Sequence, residues 1–110
     1  KKLEATLLDA YKAVGGIDLA IIDGTYAYPG PTLGDKSIKA NVLIMGRDAV
    51  AVETIGATIV GLEPKKVPVI QEAIKRGLGE GNIENIEILG DTIEKVTERV
   101  SRKKKKRTTL

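Results

Sequence analysis

Two spacings of apolar residues alternate along this 110-residue chain, and each predicts a different element. Leu3, Leu7, Tyr11 and Val14 recur on one helical stripe and predict an amphipathic helix near 3–14. Gly15 and Gly16 follow as a left-handed stop. The run IDLAII, near 17–22, is continuously apolar after Asp18 and β-branched, as in a strand covered on both faces. ANVLIM predicts a second such strand near 41–45.

From Asp48 the spacing becomes helical again. Val50, Ala51, Ile55, Thr58 and Ile59 predict a helix near 48–60, with Asp48 capping its first turn. It is apolar nearly all round, the mark of a central buried helix. Gly56 costs it about 1 kcal/mol relative to alanine, which implies close approach of another backbone. Val67, Ile70, Ala73 and Ile74 predict a third helix near 67–76, with Pro68 in its first turn and Gly77 at its end. GLGEGN reads as a cap and turn, since a dinucleotide fingerprint needs a strand before its glycines and a helix after them. IEIL predicts a half-buried edge strand near 86–89. DTIEKVTERV predicts a last helix near 91–101, with Asp91 and Glu94 at capping-box spacing and Ile93, Val96 and Val100 turned inward.

The fold class predicted is α/β, a small, mostly parallel three-stranded sheet with four helices. The last two strands are joined through helices and should be parallel. The loop between the first two can cross over or fold back, and a crossover to a parallel strand is the reading adopted. Residues 1–101 form a single α/β domain on this reading.

Composition sharpens the picture. The chain has no Phe and no Trp, so its core must be aliphatic. It has no Cys and no His, which excludes a thiolate-bound iron–sulfur cluster and histidine chemistry within these residues. No apolar stretch is long enough to span a bilayer and no secretory leader is visible, so the cytoplasm is the expected compartment. The net charge is +3, but Arg102–Arg107 supply six consecutive positive charges and leave −3 on the rest. Residues 102–110 are therefore expected to be a disordered basic tail, with nucleic-acid association through it the less favoured reading. No aromatic residue is interleaved there to stack on bases.

Candidate chemistry gathers in two places. AIIDGTYAYPGPTLGD puts Asp23 at a strand end, with Gly24, Gly30 and Gly34 in a loop stiffened by Pro29 and Pro31. Such a loop can cradle an anion, and Asp23 beside it can hold Mg²⁺; it can equally be a chain-routing turn. In MGRDAVAVE, Gly46, Arg47 and Asp48 sit at a helix start whose free amides favour anions. Asp48 reads first as a cap there. Glu53 follows on a helix with few other charges, as an acid, base or metal-ligand candidate or as an ion-pair partner.

LAIIDGTYAYPGPTLGD, VLIMGRDAVAVETIGATIVGLEP and AIKRGLGEGNIENIEILG together resemble the C-terminal half of the domain of unknown function numbered 362. The resemblance covers about residues 17 to 95. Full members also have an N-terminal half that these residues lack, which implies a fragment or a shortened relative, with a homo-oligomer or a separate chain as the candidates to supply that half. Many members are fused to ferredoxin-type iron–sulfur modules, a property that this cysteine-free chain cannot carry. Where that family usually has Pro and Asp, this chain has Ala49 and Glu53.

Two functions compete on this evidence. The leading expectation is a ligand-binding half-domain. In it Asp23, the following loop and Gly46–Glu53 wall one pocket for a small anion or Mg²⁺, with Asp23 and Glu53 as the metal candidates. The alternative is an interaction or scaffold module that docks onto a redox or metabolic partner. No complete catalytic site is visible.

Overall fold

The computed structural model describes residues 2–28 and 37–108, with side chains described as far as residue 105. In chain order the elements are α1 (Leu3–Ala13), β1 (Ala20–Ala27), β2 (Ile38–Gly46), α2 (Ala49–Ile59), α3 (Pro68–Lys75) and α4 (Ile93–Thr108). Single 3-10 turns at Pro64–Lys66 and Ile83–Asn85 punctuate the chain.

β1 and β2 pair antiparallel, in the register Ala20–Gly46, Ile22–Ile44, Gly24–Val42 and Ala27–Ile38. The expected parallel three-stranded sheet is therefore replaced, among the described residues, by a two-stranded antiparallel hairpin. One cause is strand length. β1 continues through Asp23 to Ala27, and β2 begins at Ile38, so the connection is shorter than the sequence pattern suggested and folds back. The other is the predicted third strand. Ile86–Leu89 is extended at Ile86 but joins no ladder.

The hairpin carries a bulge between Gly24 and Tyr26, where Ala40 and Asn41 oppose the single residue Thr25. Asn41 has a φ of 52°, the left-handed conformation that asparagine tolerates better than most residues. Alternation along the strands then sorts the faces. Ile22, Gly24, Ile38, Ala40, Val42 and Ile44 point inward, whereas Ile21, Asp23, Leu43 and Met45 point out and are exposed.

α2 is the centre of the fold. It packs on both strands, on α3 and on α4. Ile55 and Ile59 join Ile38, Ala40, Val96 and Val100 in one buried cluster. Val50 joins Leu8 and Ala73 in a second, smaller one. Thr54 is completely buried, and its hydroxyl donates to the Val50 carbonyl at 2.7 Å, which removes an unpaired polar group from the core. Gly56 lets the helix settle on the hairpin, although the atom it makes room for is the Ile22 Cδ1 methyl and not a backbone.

α1 departs most from its sequence pattern. Leu8 is its buried residue, while Leu3, Leu7 and Val14 of the expected core stripe are exposed. The helix packs on α3, and among the described residues its backbone does not lie against β1 or β2. Arg76 holds that packing, with its guanidinium donating to Asp9 at 3.0 Å and to Glu72 at 3.1 Å.

α4 also differs. Thr92, not Asp91, caps it, by accepting from the Lys95 amide. It runs to Thr108, so much of the basic stretch expected to be disordered is helical. Lys103 and Lys104 turn back onto the body, where their ammonium groups donate to the carbonyls of Lys39 and Val60. Val60 closes the C-terminal end of α2, where a cation is favoured.

A methyl group on Gly24 would meet Val42 Cγ1 at 2.5 Å and the Val42 carbonyl oxygen at 2.8 Å. Gly24→Ala must therefore part the two strands, because a backbone oxygen cannot rotate aside. The variant should lose about 1–3 kcal/mol of stability, read as a lower urea midpoint. An unchanged midpoint would contradict this register.

Candidate functional site

Antiparallel pairing separates the two expected halves of the site. Gly46 lies opposite Ala20 at one end of the hairpin, and the chain leaves β1 for the 28–37 connection at the other. Asp23 lies between, in mid-strand opposite Leu43, with its side chain on the outer face. α2, which carries Glu53, covers the inner face. Asp23 and Glu53 thus flank the hairpin from opposite sides. Among the described residues the two expected halves of the pocket therefore lie apart. Gly30 and Gly34 lie outside the described residues.

Each remaining residue has a local task. The Asp23 carboxylate accepts from the Thr25 hydroxyl at 2.6 Å and from the Thr25 amide at 3.0 Å. These two bonds, the hydroxyl's first, hold its pKa below the ordinary aspartate value. The group is fully exposed. Gly24 is buried against Val42, and Gly46 lets Val52 approach, since a Cβ there would stand 3.0 Å from Val52 Cγ2. Arg47 is exposed beside them.

Asp48 is the most connected of the predicted residues. One carboxylate oxygen accepts from the Ala51 amide at 3.0 Å, and the other accepts from the Glu80 amide at 2.8 Å. It caps α2 and pins a loop 32 positions further along the chain. Gly79 is pressed so close that a methyl group there would collide with Asp48 Oδ1 and Val50. GLGEGN is therefore the loop that closes over the start of α2. Asp48 brings negative charge to the helix N-terminus and engages an amide there, which opposes an incoming anion.

Glu53 is exposed and borders a groove of about 650 Å³ between α1 and the free edge of β1. Leu7, Tyr11, Ile17, Leu19 and Ile21 line it, which makes its walls chiefly apolar. A second groove, of about 800 Å³, runs along the free edge of β2. Among the described residues no three acidic side chains come together in a group that could hold a metal ion. The chain has no cysteine, and among the described residues no helix is long and apolar enough to cross a membrane.

Two structural features escaped the sequence reading. Arg99 Nη2 donates to the Asn41 carbonyl at 2.9 Å and to the Ala40 carbonyl at 3.4 Å, and Lys103 reaches Lys39. Basic residues of α4 thereby cap one end of the open edge of β2. Nothing in the linear pattern marked these two among so many neighbouring charges. The outer apolar face was missed because a continuous apolar run was read as burial on both sides.

Comparison with known proteins gives no matching family model, no matching curated protein and no matching solved structure.

Asp48→Ala removes both acceptors at once and leaves the Glu80 amide without its partner. It should cost about 1–3 kcal/mol in denaturant melts, with Asp48→Asn losing less because it keeps an acceptor for the cap. Asp23, with its pKa depressed in the folded state, adds stability that is present above the unfolded pKa and lost as pH falls through the folded one. Thr25→Val should move its titration upward in a carboxyl NMR experiment. An unmoved titration would show that the hydroxyl does not set it.

Proposed function

We propose that this chain is an interaction module, which binds another protein through surfaces that the hairpin leaves bare. The observation that carries this reading is the outer face of the sheet. Ile21, Tyr26, Leu43 and Met45 are each more than half exposed there, at 55%, 57%, 61% and 58%. An antiparallel sheet that faces water on one side ordinarily turns polar residues outward. Here cross-strand neighbours Ile21 and Met45 are both apolar and Leu43 shares their face, so these three form a patch and not a scatter of single side chains, with Asp23 beside Leu43 and Lys39 beside Tyr26 at its border. The contacts of the hairpin with α2 and α4 involve the inner residues and leave this face uncovered.

The ligand-binding reading draws less support. Its two halves stand apart, the start of α2 is occupied by Asp48, and Asp23 is engaged by Thr25. An apolar face instead fits a protein surface that is itself apolar at its centre.

A photoreactive amino acid placed at Met45 or Tyr26, in the cell of origin, should cross-link one partner. The same label at Lys95, on the exposed start of α4, should not. Met45→Lys should abolish the cross-link formed from Tyr26 while leaving helicity unchanged. Equal capture from Lys95, or none from the sheet face, would contradict the proposal.

A further inference from the structure

The groove beside β2 has two walls of the same kind. One is the strand itself: Asn41 through Gly46 all line the groove, residues of both faces in succession, so it runs along the strand's edge. Asn41 turns its carbonyl toward α4 across that edge, and the two-residue alternation turns the backbone of Leu43 and Met45 the same way. Arg99 and Lys103 cap only the Lys39–Asn41 end. The backbone groups of Leu43 and Met45 on that side have no partner among the described residues.

The other wall is Ile86–Leu89, whose sequence IEIL is that of a strand. Ile86 is extended, at φ −100° and ψ 120°. Among the described residues Glu87, Ile88 and Leu89 form no backbone hydrogen bond, and Leu89 is 85% exposed. Between these two unpaired backbones the floor is apolar, with Val52 and Ile55 from α2 and Val96 from α4. Arg99 also lines the groove, and its buried Nε–H finds no acceptor among the described residues.

We propose that this groove is a slot for one extended segment of a different protein. Laid between β2 and Ile86–Leu89, the segment hydrogen-bonds to both walls and turns the hairpin into part of a four-stranded sheet. Strand addition of this kind takes its affinity from main-chain bonds and its specificity from alternate side chains. The occupant is apolar at every second residue, where it meets Ile55 and Val96. It carries lysine or arginine at its ends, because Asp48, Glu80, Glu87 and Asp91 outnumber Arg47 and Arg99 around the groove. The site is distinct from the outer apolar face, and either can fail without the other.

The probe is a synthetic peptide of alternating valine and threonine with flanking lysines, titrated into the isotope-labelled full chain. NMR should show shifts at Val42–Gly46 and Glu87–Leu89, with about tenfold slower amide exchange at Leu43, Met45 and Ile88. The same peptide N-methylated at alternate residues should not bind, and glutamate in place of its lysines should weaken binding. Leu43→Pro removes an edge N–H and should abolish the effect, whereas Leu43→Lys should preserve it. Should Leu43→Pro not fold, Ile88→Pro makes the same test on the other wall. The proposal is overturned by shifts confined to Leu7, Tyr11 and Ile17 or to Tyr26, by equal binding of the N-methylated peptide, or by no shift. Protection of the same amides in a peptide-free dimer would also overturn it, by assigning the slot to a second copy.

Discussion

One helix pressed on one side of one hairpin determines most of this molecule. α2 supplies buried residues to both apolar clusters, and it touches both strands, α3 and α4. Its fit depends on absences: Gly56 clears the Ile22 methyl, Gly46 admits Val52, and Gly24 lets β1 lie against Val42. With so few strands, the fold has a single inner face to bury. The opposite face and both strand edges are left to other devices.

Those devices are local and unequal. An open edge invites pairing with a foreign strand, and proteins blunt it with charges, bulges or a covering helix. On β1 the Asp23 carboxylate takes the Thr25 amide. On β2 the bulge at Ala40–Asn41 breaks the ladder, and Arg99 and Lys103 engage the carbonyls beside it. This protection stops short of Leu43 and Met45. The guarded end and the unguarded end of the same strand are what distinguish a managed edge from a binding one.

Much of the local structure was legible in the sequence. The four helices follow from apolar spacing, and Pro68, Gly15, Gly16 and Gly77 stand at their ends as expected. Asp48 as a cap and α2 as the central helix follow from the same rules. The sheet was not legible. The stretches LAII and VLIM are apolar at every position, so they do not show which face is covered, and parallel burial was inferred from a face that is in fact bare. The 86–89 segment has strand composition, but a strand is made by its neighbour, and no neighbour is written in IEIL itself. For the candidate site, Asp23, Gly46 and Asp48 were singled out as ligand-binding candidates, with Asp48 read first as the cap that it forms. Whether the ends of the two strands meet depends on the direction of β1 relative to β2, which the apolar runs do not encode.

The central claim is a hairpin with antiparallel register and a groove along the outer edge of β2. Cross-strand nuclear Overhauser contacts in the labelled chain test it most directly. The account predicts contacts linking Ile21 to Met45 and Ile22 to Ile44, with no ladder contacts between Val42–Gly46 and Ile86–Leu89. Contacts that place β1 parallel to β2, or that zip Ile86–Leu89 directly onto β2, would contradict it.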